Sequence, residues 1–71
     1  MNPEVSQAPK EGKRNYTSQD LAEILSVSDR TIKRMAENRE IPSFKVRGEW
    51  RFPKKLIDAI YEKALVTGEF A

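Results

Sequence analysis

Residues 16–52 contain two short helical patterns followed at once by a strand pattern, and this order constrains the fold more than any other feature. The helical patterns are joined by Ser26, Val27 and Ser28. The strand pattern begins after Ile41 and Pro42, and proline disfavours a helical conformation at the residue before it. The order predicts two helices joined by a tight turn, then a small β-hairpin.

The first helix is predicted to begin after Thr17. Thr17 is a good N-cap, and Asp20 lies three residues later at the capping-box position. Tyr16 and Leu21 have the spacing of a hydrophobic staple, so we interpret Tyr16 as a structural clamp and not as a base-stacking residue. Val27, in the turn, is expected to fill the core between the helices.

The second helix is predicted to begin after Ser28 as its N-cap and to run to about Asn38. At 100° per residue, one face is predicted to pack against the core. That face comprises Ile32, Met35, Ala36 and Arg39. The opposite face is free and mostly basic, and it comprises Arg30, Lys33, Arg34 and Glu37.

The hairpin pattern alternates apolar and polar residues, with Gly48 at the turn to supply a positive φ. The apolar members are Phe44, Val46, Trp50 and Phe52. They are expected to form one face that packs on the helices, and Trp50 is expected to be a core residue. Pro53 is predicted to open a third helix, which Gly68 ends. Its apolar stripe is also expected to face the core: Leu56, Ile57, Ile60, Tyr61, Ala64 and Leu65.

These elements predict a mostly helical α+β domain, a small winged helix-turn-helix, over residues 16–66. Residues 1–15 are rich in polar residues, proline and charge, so they are predicted to form a disordered tail. Residues 67–71 are predicted to fray.

The composition of the 71-residue chain excludes several classes of function. It contains no cysteine and no histidine, which excludes zinc sites and nucleophile systems built from those residues. No apolar run approaches the ~20 residues of a membrane span, so no membrane partner is expected. The predicted location is the cytoplasm, in association with the nucleoid. No cofactor is implied. The helix carboxylates form no constellation with a base, so an enzyme is not expected.

Charge is concentrated in one part of the chain. The whole sequence has a net charge of +2, whereas residues 28–55 contain nine basic and four acidic residues. A basic excess on the segment with the free helix face favours binding to the phosphates of duplex DNA. A solvated charged surface is the alternative interpretation of charge alone.

Residues 16–28, YTSQDLAEILSVS, resemble the opening of the excisionase-family helix-turn-helix domain. The segments TIKRM, IPSFKV and GEWRFP continue the same pattern, and their combination is the most specific part. The resemblance covers about residues 16–62, which is most of the chain. The resemblance implies a winged helix related to the DNA-binding domains of mercury-resistance-type regulators. Ser26 departs from the family, which commonly has glycine there because the backbone tends towards positive φ.

The resemblance also implies roles for particular residues. The second helix would enter the major groove and the hairpin wing would lie on the phosphates or in the minor groove. The groove candidates are Ser28, Arg30, Thr31, Lys33 and Arg34. The wing candidates are Lys45, Arg47, Glu49 and Arg51. Arg30 or Arg34 is expected to read a guanine, and the other cations to contact phosphates. Thr31 has an alternative role, packing on the first helix.

The sequence is compatible with several biological roles. Sequence-specific binding of double-stranded DNA suits a recombination directionality factor that works with an integrase or recombinase. It suits equally a small transcriptional regulator that works with RNA polymerase, or the DNA-binding end of a longer recombinase or regulator. One module buries only about 600–1,000 Å² on DNA, so cooperative self-association on repeated sites is an expectation. A protein-interaction module that binds acidic surfaces is the alternative from another class.

Overall fold

The structure, a computed structural model, describes residues 13–71. Its elements are β1 (Asn15–Tyr16), α1 (Ser18–Leu25), α2 (Asp29–Glu37), β2 (Phe44–Val46), β3 (Glu49–Pro53) and α3 (Lys54–Thr67). The strands form an antiparallel sheet in the order β1-β3-β2. Three helices around a small sheet with a hairpin confirm the predicted, mostly helical winged helix-turn-helix.

The start of α1 has the predicted capping box. The hydroxyl of Thr17 accepts a hydrogen bond from the backbone N–H of Asp20 at 3.1 Å, and the Asp20 carboxylate accepts one from the N–H of Thr17 at 3.0 Å. Tyr16 and Leu21 are both buried in the core, which agrees with the staple interpretation. Local sequence was therefore sufficient to locate this helix start.

The turn between α1 and α2 closes with Ser26 in the left-handed conformation, at φ 57°. The N–H of Val27 donates to the carbonyl of Ala22 at 2.9 Å, and that of Ser26 to the carbonyl of Glu23 at 3.3 Å. This is the double hydrogen bond of a Schellman motif. The prediction that Val27 fills the core is wrong: it is 40% exposed, because the motif directs it along the outside of the turn.

The end of α2 differs from the prediction at Arg39. The helix ends at Glu37, and Arg39 adopts φ 60° in a second Schellman motif. Its N–H donates to the carbonyl of Ala36 at 3.1 Å, while that of Glu40 donates to the carbonyl of Met35 at 2.9 Å. Arg39 is therefore exposed and does not extend the apolar face of the helix, as the periodicity had predicted.

The hairpin turn contains two residues, Arg47 and Gly48, both with positive φ, at 52° and 82°. Two adjacent left-handed residues are the signature of a type I′ turn, which suits the twist of a hairpin. The positive φ of Gly48 was predicted, whereas that of Arg47 was not. This turn sets the register of the two strands, with Phe44 opposite Arg51, Lys45 opposite Trp50 and Val46 opposite Glu49.

This register corrects the predicted apolar face of the hairpin. Directly opposite residues share a face of the sheet. Phe44 and Val46 therefore lie on the face opposite to Trp50 and Phe52, and they are 42% and 44% exposed. Phe52 is fully buried, and Trp50 is half-buried against the core and not within it. The predicted alternation of apolar and polar residues along each strand was correct. Which residues of the two strands share a face depends on the register, and the length of the turn sets the register.

The core lies where α1, α2, α3 and the inner face of the sheet meet. Its buried residues are Tyr16, Leu21, Ile32, Ala36, Ile41, Phe52 and Ile57. The predicted stripe of α3 is only partly used, since Ile57 is buried whereas Leu56 and Leu65 are 51% and 68% exposed. The main contacts of α3 are with β1 and β3, so only a narrow side of the helix is covered.

The ends of the chain also differ from the prediction. Asn15, assigned to the tail, pairs with Pro53 as part of β1. Phe70, in the segment predicted to fray, packs against the core after Gly68 ends α3 at φ 89°. The predicted disorder of residues 1–12 lies outside the described residues, and the domain limits otherwise stay predictions.

Candidate nucleic-acid interface

The outer side of α2 presents two arginines one turn apart. Arg30 and Arg34 are exposed and lie opposite the buried side chains of Ile32 and Ala36. Within residues 13–71, neither guanidinium has a carboxylate at ion-pair distance. An unpaired guanidinium keeps its full set of donors for a partner, and its planar fork matches the acceptors of a guanine edge.

The third cation of this helix, Lys33, is in a different state. Its ammonium lies 3.0 Å from the carboxylate of Asp29, which also accepts a hydrogen bond from the Ser18 hydroxyl at 2.5 Å. The hydrogen bond from Ser18, followed by that from Lys33, holds the pKa of Asp29 below its ordinary value of 3.8. Asp29 is therefore ionised near neutral pH, and it offsets the charge of Lys33 within the protein.

Ser28 and Thr31 form the first turn of α2. The hydroxyl of Ser28 accepts a hydrogen bond from the N–H of Thr31 at 3.1 Å, as expected of an N-cap. The two hydroxyls lie 2.9 Å apart. Both groups are near the helix start, but Ser28 already has a structural role there. The hydrogen bonds of Thr31 are with Ser28, and its side chain is partly buried.

The cations of the hairpin have partners inside the protein. The ammonium of Lys45 lies 4.9 Å from the centre of the Trp50 ring. The guanidinium of Arg51 donates to the carbonyl of Trp50 at 2.9 Å and lies 3.3 Å from the carboxylate of Glu49. Arg47 is exposed at the turn and has no carboxylate partner among the described residues. Of the three predicted hairpin cations, Arg47 alone projects without a partner in that part of the chain.

A polar groove of about 480 Å³ separates α2 from the hairpin. Three carboxylates and three cations line it: Asp29, Glu37, Glu49, Lys33, Lys45 and Arg51. The structure thus brings together Lys33, Lys45 and Arg51, which the sequence had placed on two elements. Arg30 and Arg34 do not line this groove. The predicted cations accordingly fall into two groups. Lys33, Lys45 and Arg51 line a groove in which carboxylates balance their charge, whereas Arg30 and Arg34 lie on the outer side of α2 without a carboxylate partner in the described part of the chain.

The first turn of α1 is part of the groove wall, which the sequence analysis did not foresee. Thr17, Ser18 and Gln19 all line the groove, and Gln19 is exposed. The capping box located this helix start along the chain. Its position beside the hairpin depends on tertiary packing, so no local signal could have assigned it to the interface.

The fold and the exposed cations define a small protein of the helix-turn-helix class. The chain matches the helix-turn-helix domain family over residues 16–64, which is more than half of its length, and it belongs to that family. The match supports DNA binding through the helix-turn-helix. Comparison with curated proteins and with solved structures found no significant match.

Residues 13–71 contain neither a cluster of metal ligands nor a helix suited to span a membrane. Within that range no group of three or more histidine, cysteine, aspartate or glutamate side chains could hold a metal ion. None of the helices described there has both the length and the apolar character needed to cross a bilayer.

Proposed function

We propose that this protein binds specific sequences of double-stranded DNA, with α2 in the major groove. The observation that carries the proposal is the pair of exposed, unpaired guanidiniums of Arg30 and Arg34 on the side of α2 that faces away from the core. A bidentate contact from arginine to guanine is the commonest specific contact in this groove. The family match over residues 16–64 supports the same ligand.

The remaining candidates are proposed to position the duplex. Arg47, at the hairpin turn, would reach the backbone or the minor groove without first leaving an internal partner. Lys45 and Arg51 would contact phosphates from the flank of the groove, together with Lys33. Phosphate contacts set the register of a protein on DNA, whereas base contacts set the sequence. Ser28 and Thr31 would add hydroxyl contacts at the start of α2.

We propose that this binding serves either DNA recombination or transcription. A recombination directionality factor would help an integrase to excise an element, and a small regulator would act on RNA polymerase. One module buries only about 600–1,000 Å² on DNA, so several copies on repeated sites, or a partner already on the DNA, would raise the occupancy. Footprints of repeated sites beside an integrase site, or beside a promoter, would separate the two roles.

The test is fluorescence anisotropy with two labelled duplexes, one from the DNA upstream of the protein's own coding sequence and one of random sequence. Across a salt series, contacts with about five phosphates predict a log–log slope of roughly −4 to −5 on the specific duplex. We expect tighter binding to the upstream duplex. No binding to either duplex at low salt would contradict the proposal and favour a module that binds acidic protein surfaces.

A further inference from the structure

A second group of cations lies at the start of α3. It consists of Lys13, Arg14, Lys54 and Lys55, which we call the α3 cation cluster. With Asp58 they line an open concavity of about 500 Å³. None of the residues that line it belongs to α2 or to the hairpin turn. The cluster is therefore a separate surface from the interface described above.

The fold holds the two halves of the cluster together. Lys13 and Arg14 are distant in sequence from Lys54 and Lys55, and the pairing of β1 with β3 joins them. The backbone N–H of Lys54 donates to the carbonyl of Arg14 at 2.8 Å, which continues this pairing into the start of α3. Backbone hydrogen bonds therefore hold together the two chain segments that carry these charges.

Half of the positive charge in the cluster is uncompensated. Lys13 lies 2.8 Å from the carboxylate of Asp20, and Lys54 lies 2.7 Å from that of Asp58. Arg14 and Lys55 are exposed, and within residues 13–71 neither has a carboxylate at ion-pair distance. Like charges held together without compensation repel one another, so an anion that bridges them would be bound favourably.

We infer that the α3 cation cluster binds phosphates of the DNA that flanks the segment contacted by α2, with Arg14 and Lys55 making the contacts. The inference rests on the proposed function. β3 leads from the hairpin turn to the cluster, and a rise of ~3.3 Å per residue over the six residues from Gly48 to Lys54 places the cluster roughly 20 Å beyond the turn. Duplex DNA carries one negative charge per ~1.7 Å of its axis, so a flanking duplex supplies phosphates continuously over that distance.

The experiment compares three variants of the whole chain in anisotropy salt series: Arg14→Gln with Lys55→Gln, Lys55→Gln alone, and Lys63→Gln. Lys63 is the matched control, because it is also an exposed lysine of α3 but lies outside the cluster. Each is measured on a duplex trimmed to the core site and on one extended by about ten base pairs on both sides. Thermal melting verifies that each variant folds.

On the extended duplex we expect the log–log slope to become shallower by about 0.9 for each phosphate contact removed. The expected change is therefore about 2 for the double variant and about 1 for Lys55→Gln, with none for Lys63→Gln. The loss should be equal on specific and random extended sequences and absent on the trimmed duplex.

Two results would overturn the inference while leaving the proposed function intact. One is a double variant that binds the extended duplex with an unchanged slope. The other is an equal loss in Lys63→Gln, which would indicate a general effect of net charge. Failure of the unmodified protein to bind any duplex would instead refute the proposed function, and the inference with it.

Discussion

The second helix and the hairpin carry cations of the same types in different states. On α2, Arg30 and Arg34 project into solvent without a carboxylate partner among residues 13–71. On the hairpin, Arg51 is held by Glu49 and by the Trp50 carbonyl, and Lys45 lies over the Trp50 ring. A cation that must first leave an internal partner contributes less to binding, so equal charge does not mean equal affinity.

The two regions also differ in how their backbones are held. The helix-turn-helix has side-chain caps at both helix starts and buried residues on both helices. The hairpin depends on a two-residue turn and on one buried aromatic ring, Phe52, with Trp50 partly covered. An isolated hairpin is only marginally stable in water, so the ring must fix the position of the hairpin against the helices.

The largest expected effect concerns this ring. Phe52→Ala should lower the free energy of unfolding by about 3–5 kcal/mol, because it leaves a cavity where the hairpin meets the core. Phe44→Ala is the matched control on the opposite face of the same hairpin, and it should change stability by about 0.5 kcal/mol or less. Urea unfolding measures both.

Equal losses in the two phenylalanine variants would refute the assigned register. Should Phe52→Ala fail to fold, Phe52→Leu gives the comparison, since it keeps an apolar group and should still destabilise more than Phe44→Ala.

The next largest effect is expected in DNA binding, when arginines of α2 and of the hairpin are replaced in turn. Arg30→Gln with Arg34→Gln should remove about 1–3 kcal/mol of discrimination for each guanine that is read. Arg51→Gln should weaken binding to specific and random duplexes alike, and by less, because Arg51 already has partners in the protein. Anisotropy with both duplexes measures the two quantities. Discrimination that survives in the double variant but falls in Arg51→Gln would reverse the comparison.

A smaller effect is expected at the turn that positions α2. Ser26→Gly should stabilise the protein by about 0.5–1 kcal/mol, since glycine adopts φ 57° without the cost that a Cβ imposes. Ser28→Gly makes the same change two residues later, where φ is −77° and the hydroxyl caps α2, and it should destabilise by a few tenths of a kcal/mol. The opposite signs can be read from urea midpoints. Destabilisation by Ser26→Gly would mean that the hydroxyl matters more than the backbone.

The smallest effect is the acid dependence of the α1–α2 contact. Because the pKa of Asp29 is lower in the folded protein than its ordinary value of 3.8, its contribution to stability is present above pH 3.8 and is lost as the pH falls below that value. Asp29→Asn should flatten this part of the stability curve, which thermal melting between pH 2 and 6 would show. An identical curve in the variant would indicate that other carboxylates dominate.

The features that the sequence predicted correctly depend on neighbouring residues. The caps at Thr17 and Ser28 and the helix end at Gly68 each follow from a side chain and the backbone within a few positions, whereas the positive φ at Ser26 was implied only by the family resemblance. The error at Arg39 arises because a Schellman motif ends α2 before the apolar periodicity does, whereas Val27 lies in the turn itself, where no helical periodicity applies.

The partition of the candidate site could not be predicted in the same way. The cations of α2 and the hairpin were candidates from the sequence, and the structure leaves them exposed or half-exposed. It could not indicate which of them have partners, since the contacts of Lys45 and Arg51 depend on the hairpin register. It also did not associate Lys13 and Arg14 with Lys54 and Lys55, because β1 contains only two residues and has no periodic signal.

The sequence by itself thus determined the three helices and the hairpin, their order, the caps of α1 and α2 and the sign of the charge on α2, since all of these depend on interactions within a few residues or on composition. Tertiary structure alone decided which face of the hairpin is buried, how much of α3 is covered, which cations stay unpaired and that a second cation cluster forms. Those outcomes depend on which segments that are distant in sequence pack against one another. The local sequence pattern of a segment does not indicate its packing partner.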